Sequence, residues 1–192
     1  MDEIIIFDSV FISLPKARIY KRLGYRDNIT KVSIKQKKEV DRYIKDALSL
    51  INLKAAVRFI KIEKITPPEI TISAKTKFIS NNLVGLLRDC QEVLLMAATA
   101  GNKIIKAIQK DSLGENVMRA VVLDAVASEM TDSSLDWLMR HFNKKLARQN
   151  KGLTKRFSAG YGDFLLRNQK KIFELLKLKK IGVNINRDYI LI

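Results

Sequence analysis

The chain has 192 residues, 47% of them hydrophobic, and a formal charge of +16. This length and apolar content suit one folded domain, residues 1–192, and exclude a disordered chain. One cysteine and one histidine exclude an intrachain disulfide and a conventional zinc set, and no apolar run reaches the roughly 18 residues of a membrane span.

The opening Met1-Asp2-Glu3 is acidic before Ile4-Ile5-Ile6, the wrong polarity for a secretory signal, so a cytoplasmic protein is expected. The charge calls for an anionic partner. This reading disfavours nucleic acid, because the lysines run along the whole chain and no nucleic-acid-binding motif appears.

Residues 3–14 are apolar and β-branched, which predicts a strand or an extended arm, with the arm taken as residues 1–20. A short helix over 20–25 ends at Gly24. Ser33 and Gln36 form a capping box for a helix over 34–50, with Tyr43, Ile44 and Ala47 on its apolar face. Val57, Phe59 and then Ile70 and Ile72 alternate with polar residues, Ser73 included, on either side of Pro67-Pro68. That pattern predicts two strands around a corner. A short helix over 82–89 follows, with Cys90 in an apolar neighbourhood that suits a structural thiol rather than a nucleophile. Residues 92–98 are a nearly unbroken apolar run, the pattern of a central strand buried on both faces.

Thr99-Ala100-Gly101-Asn102 then leads into a helix over 103–109. The junction reads as a structural turn or as an anion site, and the plain turn is the better reading. Asp111 or Ser112 is expected to cap a helical region over 115–148, with a bend near Thr131-Asp132-Ser133-Ser134. Asn150-Lys151-Gly152 closes it. His141, in Arg-His-Phe-Asn on that helix, reads as an ordinary half-buried residue. Strand-like pieces end the chain at 181–186 and 188–192. Strands and helices are mixed without a regular βαβ alternation, so an α+β fold is expected: an antiparallel twisted sheet with helices packed around it.

The most specific stretch is Arg156-Phe157-Ser158-Ala159-Gly160-Tyr161-Gly162-Asp163-Phe164. Two glycines flank a tyrosine, so the backbone can take positive φ and let another group approach. Asp163 is placed to cap a helix over 164–178. Arg156 offers a planar fork of donors to a carboxylate. The turn is thus expected to join exposed backbone amides, an aromatic face and an arginine; by itself it is also what any structural turn looks like.

This stretch resembles the R-x-x-x-G-Y signature of the activation domain of cobalamin-dependent methionine synthase, in the form found in short stand-alone relatives. The resemblance extends to Leu23-Gly24-Tyr25 and to the pattern carried by Leu87, Cys90, Val93, Leu95, Ala97, Ala98, Thr99 and Gly101. It also takes in 123–129, Lys180-Ile181-Gly182-Val183 and Tyr189-Ile190-Leu191-Ile192. It implies a chain that binds S-adenosylmethionine and presents it to the oxidised cobalamin of a separate methionine synthase subunit. A flavodoxin-like donor would supply the electron. Arg156 would pair with the methionyl carboxylate. Phe157, Ser158, Ala159 and Gly160 would frame the adenosine, and Tyr161 would pack on the ligand. Full-length members have prolines where this chain has Phe157, Ala159 and Gly162. They also carry an acidic residue for the ligand's cationic end near the place of Ser128, with Glu129 next to it. The work implied is positioning, with no catalytic residue and no metal. The rival implied is a partner of another corrinoid protein that does not use S-adenosylmethionine.

Overall fold

A computed structural model describes residues 3–72, 76–114 and 116–192. The elements are β1 (Ile5–Phe7), α1 (Lys16–Arg22), α2 (Ile34–Leu50), β2 (Lys54–Thr66), β3 (Glu69–Ile72), β4 (Thr76–Ile79), α3 (Asn81–Leu87), β5 (Glu92–Thr99), α4 (Asn102–Ser112), α5 (Val117–Ala147) and α6 (Asn168–Leu176), with a 3-10 turn over Leu178–Ile181. Helices and strands are mixed and the sheet is curled and antiparallel, the α+β class expected. The chain divides into two compact units. One is Met1–Phe7, Ala56–Ala97 and Met139–Ile192; the other is Asp8–Ala55 and Ala98–Leu138.

The first unit holds the sheet, in the order β1-β2-β3-β4, with β5 also paired to β2. β2 and β3 run antiparallel around Pro67-Pro68, with Ile65 opposite Ile70. Side chains on a strand alternate between faces, and β2 shows the consequence. Ile60 joins Ile70, Ile72, Phe78 and the α3 residues Leu83 and Leu87 in one apolar cluster. Ala56 joins Leu176, Leu178, Ile181 and Val183 in another. On the opposite face Phe59 meets Phe142 of α5 edge to face, ring centroids 5.4 Å apart. His141 lies half-buried between Phe7 and Phe142, and burial, then nearby Lys145, lowers its pKa. Cys90 is half-buried against the Leu87 cluster.

The apolar run at β5 is not a central strand. It pairs with β2 alone among the described residues, and from Val93 to Thr99 it is only partly buried. Val93 and Leu95 pack on the core while Glu92 is exposed. A continuous apolar run reports low polarity, not the number of neighbouring strands.

The second unit is mainly helical. Ser33 and Gln36 form the expected capping box on α2, whose Tyr43, Ile44 and Ala47 are buried. α1 ends at Leu23, followed by Gly24 at φ 84°. Gly101, at φ 90°, would put a Cβ 3.1 Å from the Asn52 carbonyl, and Asn52 N–H donates to Ala100 O at 2.9 Å. The junction before α4 is therefore a close backbone crossing that needs glycine. Among the described residues of the arm, Ile5–Phe7 is strand, Val10 N–H donates to Leu53 O at 2.9 Å, and the part from Lys16 on is already helix α1 rather than arm.

One expectation for α5 is corrected. Asp111 and Ser112 belong to α4; Asn116 caps α5, its side-chain oxygen accepting Arg119 N–H at 3.3 Å. The polar cluster at Thr131 to Ser134 stays within one unbroken helix of 31 residues. Ser134 is buried and bonds the Thr131 carbonyl at 2.6 Å, and Asp132 pairs with Arg18, so these polar groups are satisfied without a break. Ser73 and Glu115 lie outside the described residues. After Asn150 (φ 54°) closes the helix, the chain end forms only a small hairpin, with Ile185 opposite Leu191.

Candidate functional site

The Gly160 turn belongs to the first unit and is anchored by alternation. Ala159 and Phe164 are buried in the Ile60–Ile70 cluster and Phe157 is packed against it. Phe157 stacks on Phe164 at 6.2 Å and 24°, and Phe164 meets Phe78 edge to face at 5.4 Å. Ser158, Gly160 and Tyr161 are left exposed, Tyr161 at 68%. A stacked aromatic pair, Phe164 buried and Phe157 partly so, thus fixes which side chains face outward.

Three backbone hydrogen bonds close the turn. Tyr161 N–H donates to Ser158 O (3.2 Å), Phe164 N–H to Tyr161 O (3.0 Å) and Gly160 N–H to Phe164 O (2.7 Å). The amides of Gly160, Tyr161 and Phe164 therefore serve the turn itself, and for these three the expectation of exposed amides is corrected. What the turn presents is the Tyr161 ring, the Ser158 hydroxyl and an exposed Gly160. Gly160 sits at φ 97° and Gly162 at φ 56°. A Cβ on Gly160 would lie 3.3 Å from Leu166 Cδ1, and one on Gly162 only 2.4 Å from Asn82 Nδ2.

Asp163 does not cap the helix that follows it. α6 begins at Asn168 and has no side-chain cap. The Asp163 carboxylate instead accepts the Ser80 hydroxyl at 2.5 Å and Asn81 N–H at 2.6 Å, at the start of α3. Those bonds, the Ser80 hydroxyl first, hold its pKa below the ordinary carboxylate value. The cap was placed one helix too far along because Leu165 is irregular and Leu166 and Arg167 form a turn before α6 begins. Ser80, Asn82 and Leu166 are the residues that sequence reasoning missed. Only Ser80 carried a local signal, as the cap that accepts Leu83 N–H at 2.9 Å.

Arg156 is half-buried in the same unit as Phe157 to Tyr161. Ser128 and Glu129 lie on α5 in the other unit. Ser128 is half-buried. The Glu129 carboxylate accepts from Arg18 Nε at 2.8 Å and from Arg22 at 3.2 Å. Arg18 also pairs with Asp132 and, at 3.0 Å, with Asp136. Glu129, Asp132 and Asp136 are three and four residues apart, so one helical stripe presents three carboxylates to α1. No cluster of His, Cys, Asp or Glu among the described residues has the makings of a metal site. No described helix is long and apolar enough to cross a membrane.

No protein-family model and no curated protein matches this sequence. Among solved structures, the fold is similar to that of the MetH reactivation domain bound to AdoHcy, at a TM-score of 0.63 and 14% identity. That likeness covers 98% of this chain and 74% of the other. The arrangement of helices and curled sheet described above is therefore a MetH reactivation domain-like fold.

Proposed function

We propose that this chain is a reactivation subunit for a cobalamin-dependent methionine synthase. In this reading it binds S-adenosylmethionine at Arg156 to Tyr161 and presents the methyl group to oxidised cobalamin on a separate subunit. A flavodoxin-like donor supplies the electron, and S-adenosylhomocysteine is left behind. The observation that carries the reading is the turn: an exposed Gly160 at positive φ beside an outward Tyr161, in a fold like that of a domain bound to AdoHcy. The chain's own part is positioning. Arg156 offers two parallel donors to the methionyl carboxylate, Tyr161 a face for the ligand, and Ser158 a hydroxyl. The backbone of Phe157, Ala159 and Gly160 frames the adenosine. Ser128 and Glu129 are the candidates for the cationic end.

Calorimetry with S-adenosylmethionine and S-adenosylhomocysteine tests this. Arg156→Ala is expected to weaken binding by about 1.5–3 kcal/mol, the range for a hydrogen bond to a charged group. Unchanged affinity in a folded variant removes the carboxylate role, and no binding by the wild type removes the nucleoside site.

One observation favours a second reading, a corrinoid-protein partner that does not use S-adenosylmethionine. Glu129 is already held by two arginines, so it serves a ligand's ammonium only by exchanging them.

A further inference from the structure

Lysines run along the whole chain, but the net charge is not evenly spread, because the acids are concentrated before residue 139. Residues 139–192 hold fourteen Lys or Arg against three Asp or Glu, a net of +11, and the other 138 residues carry the remaining +5. Of the three acids, Asp163 is committed to the start of α3. Lys155, Arg167 and Lys170 flank the Gly160 turn along the chain, are exposed, and form no ion pair among the described residues.

Within this basic stretch the turn shows apolar side chains. Tyr161 is 68% exposed, Leu165 50% and Leu166 38%. They are not loose. Asn168 N–H and its side-chain amide both donate to Leu165 O at 3.0 Å, and Gln169 N–H donates to Leu166 O at 2.8 Å. Buried Phe164 and Asn168 lock the chain on either side. A hydrogen-bonded turn that holds two leucines in water, flanked in sequence by cations with no ion pair among the described residues, has the composition of a protein interface: an apolar centre and a charged rim.

We infer that the Gly160 turn is the centre of a docking surface for an acidic protein. Tyr161, Leu165 and Leu166 form its centre, and Lys155, Arg167 and Lys170 its rim. Nucleic acid fits less well, since only Tyr161 of the three central side chains has a stacking face, while Leu165 and Leu166 offer neither a stacking face nor a hydrogen bond to a base. The inference gives a location and a chemistry to the partner in the proposed function, and it rests on that reading only for the partner's role.

The test measures binding by fluorescence anisotropy without S-adenosylmethionine, so failure of the nucleoside site leaves it intact. The probes are a repeating Glu-Glu-Leu peptide, an oligoglutamate of equal charge, a single-stranded oligonucleotide of equal charge, and phosphatidylserine-containing vesicles. The leucine-bearing peptide is expected to bind on the order of tenfold tighter than oligoglutamate, the gain from burying about one leucine. Leu165→Ser with Leu166→Ser should abolish that preference and leave oligoglutamate binding unchanged. Lys155→Glu, Arg167→Glu and Lys170→Glu together should weaken both peptides. Circular dichroism verifies that the variants fold. Tighter binding of the oligonucleotide or the vesicles, equal binding of the two peptides, or a preference that survives the serine variants each overturns the proposal.

Discussion

The Asp163 carboxylate accepts the Ser80 hydroxyl at 2.5 Å although the two residues are 83 apart in sequence. This bond, with those from Asn81 and Asn82 N–H, ties the Gly160 turn to the start of α3. The carboxylate's folded pKa is lowered from 3.8, first by the Ser80 hydroxyl. A lowered carboxylate pKa means stability that is fully present above the unfolded value and is lost as pH falls through the folded one. Asp163→Asn should therefore lower the urea midpoint at neutral pH, and the gap from wild type should close below about pH 4. A gap that is constant with pH would show that the charge plays no part.

Gly160 and Gly162 should tolerate side chains unequally. At φ 97° Gly160 lies outside even the ordinary left-handed region, whereas Gly162 at φ 56° lies within it. The close neighbour of Gly162 is the end of the Asn82 side chain, which can swing away. Gly160→Ala is expected to cost about 2–3 kcal/mol and Gly162→Ala about 1–2 kcal/mol. Ligand affinity should fall with the first substitution. Thermal melts and calorimetry on both variants check the order; an equal or reversed order contradicts the backbone argument.

Arg18 separates the two roles open to Glu129. Its guanidinium joins three carboxylates of α5, and its pKa is raised, chiefly by the hydrogen bond to Asp136. The side chain is 42% exposed, so each pair is worth little by itself. Arg18→Ala should still cost about 1–2 kcal/mol, because it leaves three like charges on one stripe. If Glu129 also serves the ligand, Arg18→Ala with Arg22→Ala should raise S-adenosylmethionine affinity. Loss of stability with affinity unchanged assigns Glu129 to the fold alone.

The net charge should act on rates and on ligands. Association with a purified cobalamin-binding subunit and with flavodoxin is expected to slow as salt rises, because fields are screened over about 8 Å at physiological ionic strength. A salt-independent rate for both excludes steering. S-adenosylmethionine carries a net positive charge and S-adenosylhomocysteine none at neutral pH. The affinity ratio should therefore shift toward S-adenosylmethionine as salt screens the repulsion. A ratio constant with salt places the ligand away from the basic stretch.

Local spacing determined what short-range forces decide. Ser33 and Gln36 announced the start of α2 because a capping box closes within four residues. Pro67-Pro68 announced the corner between β2 and β3 because proline cannot continue the ladder. Gly160 and Gly162 flagged positive φ, and both have it. The tertiary structure alone decided which partner each polar group found. Asp163 was read as a cap for the nearest helix, and its carboxylate reached α3 instead, since a hydrogen bond depends on distance in space and not along the chain. β5 was apolar enough for a central strand, yet among the described residues it pairs with β2 alone, which makes it an edge. Glu129 could be placed on a helix from its neighbours, but its arginines lie 107 and 111 residues away. Charges pair across such separations only after packing has brought their elements together, and no spacing rule along one chain encodes that.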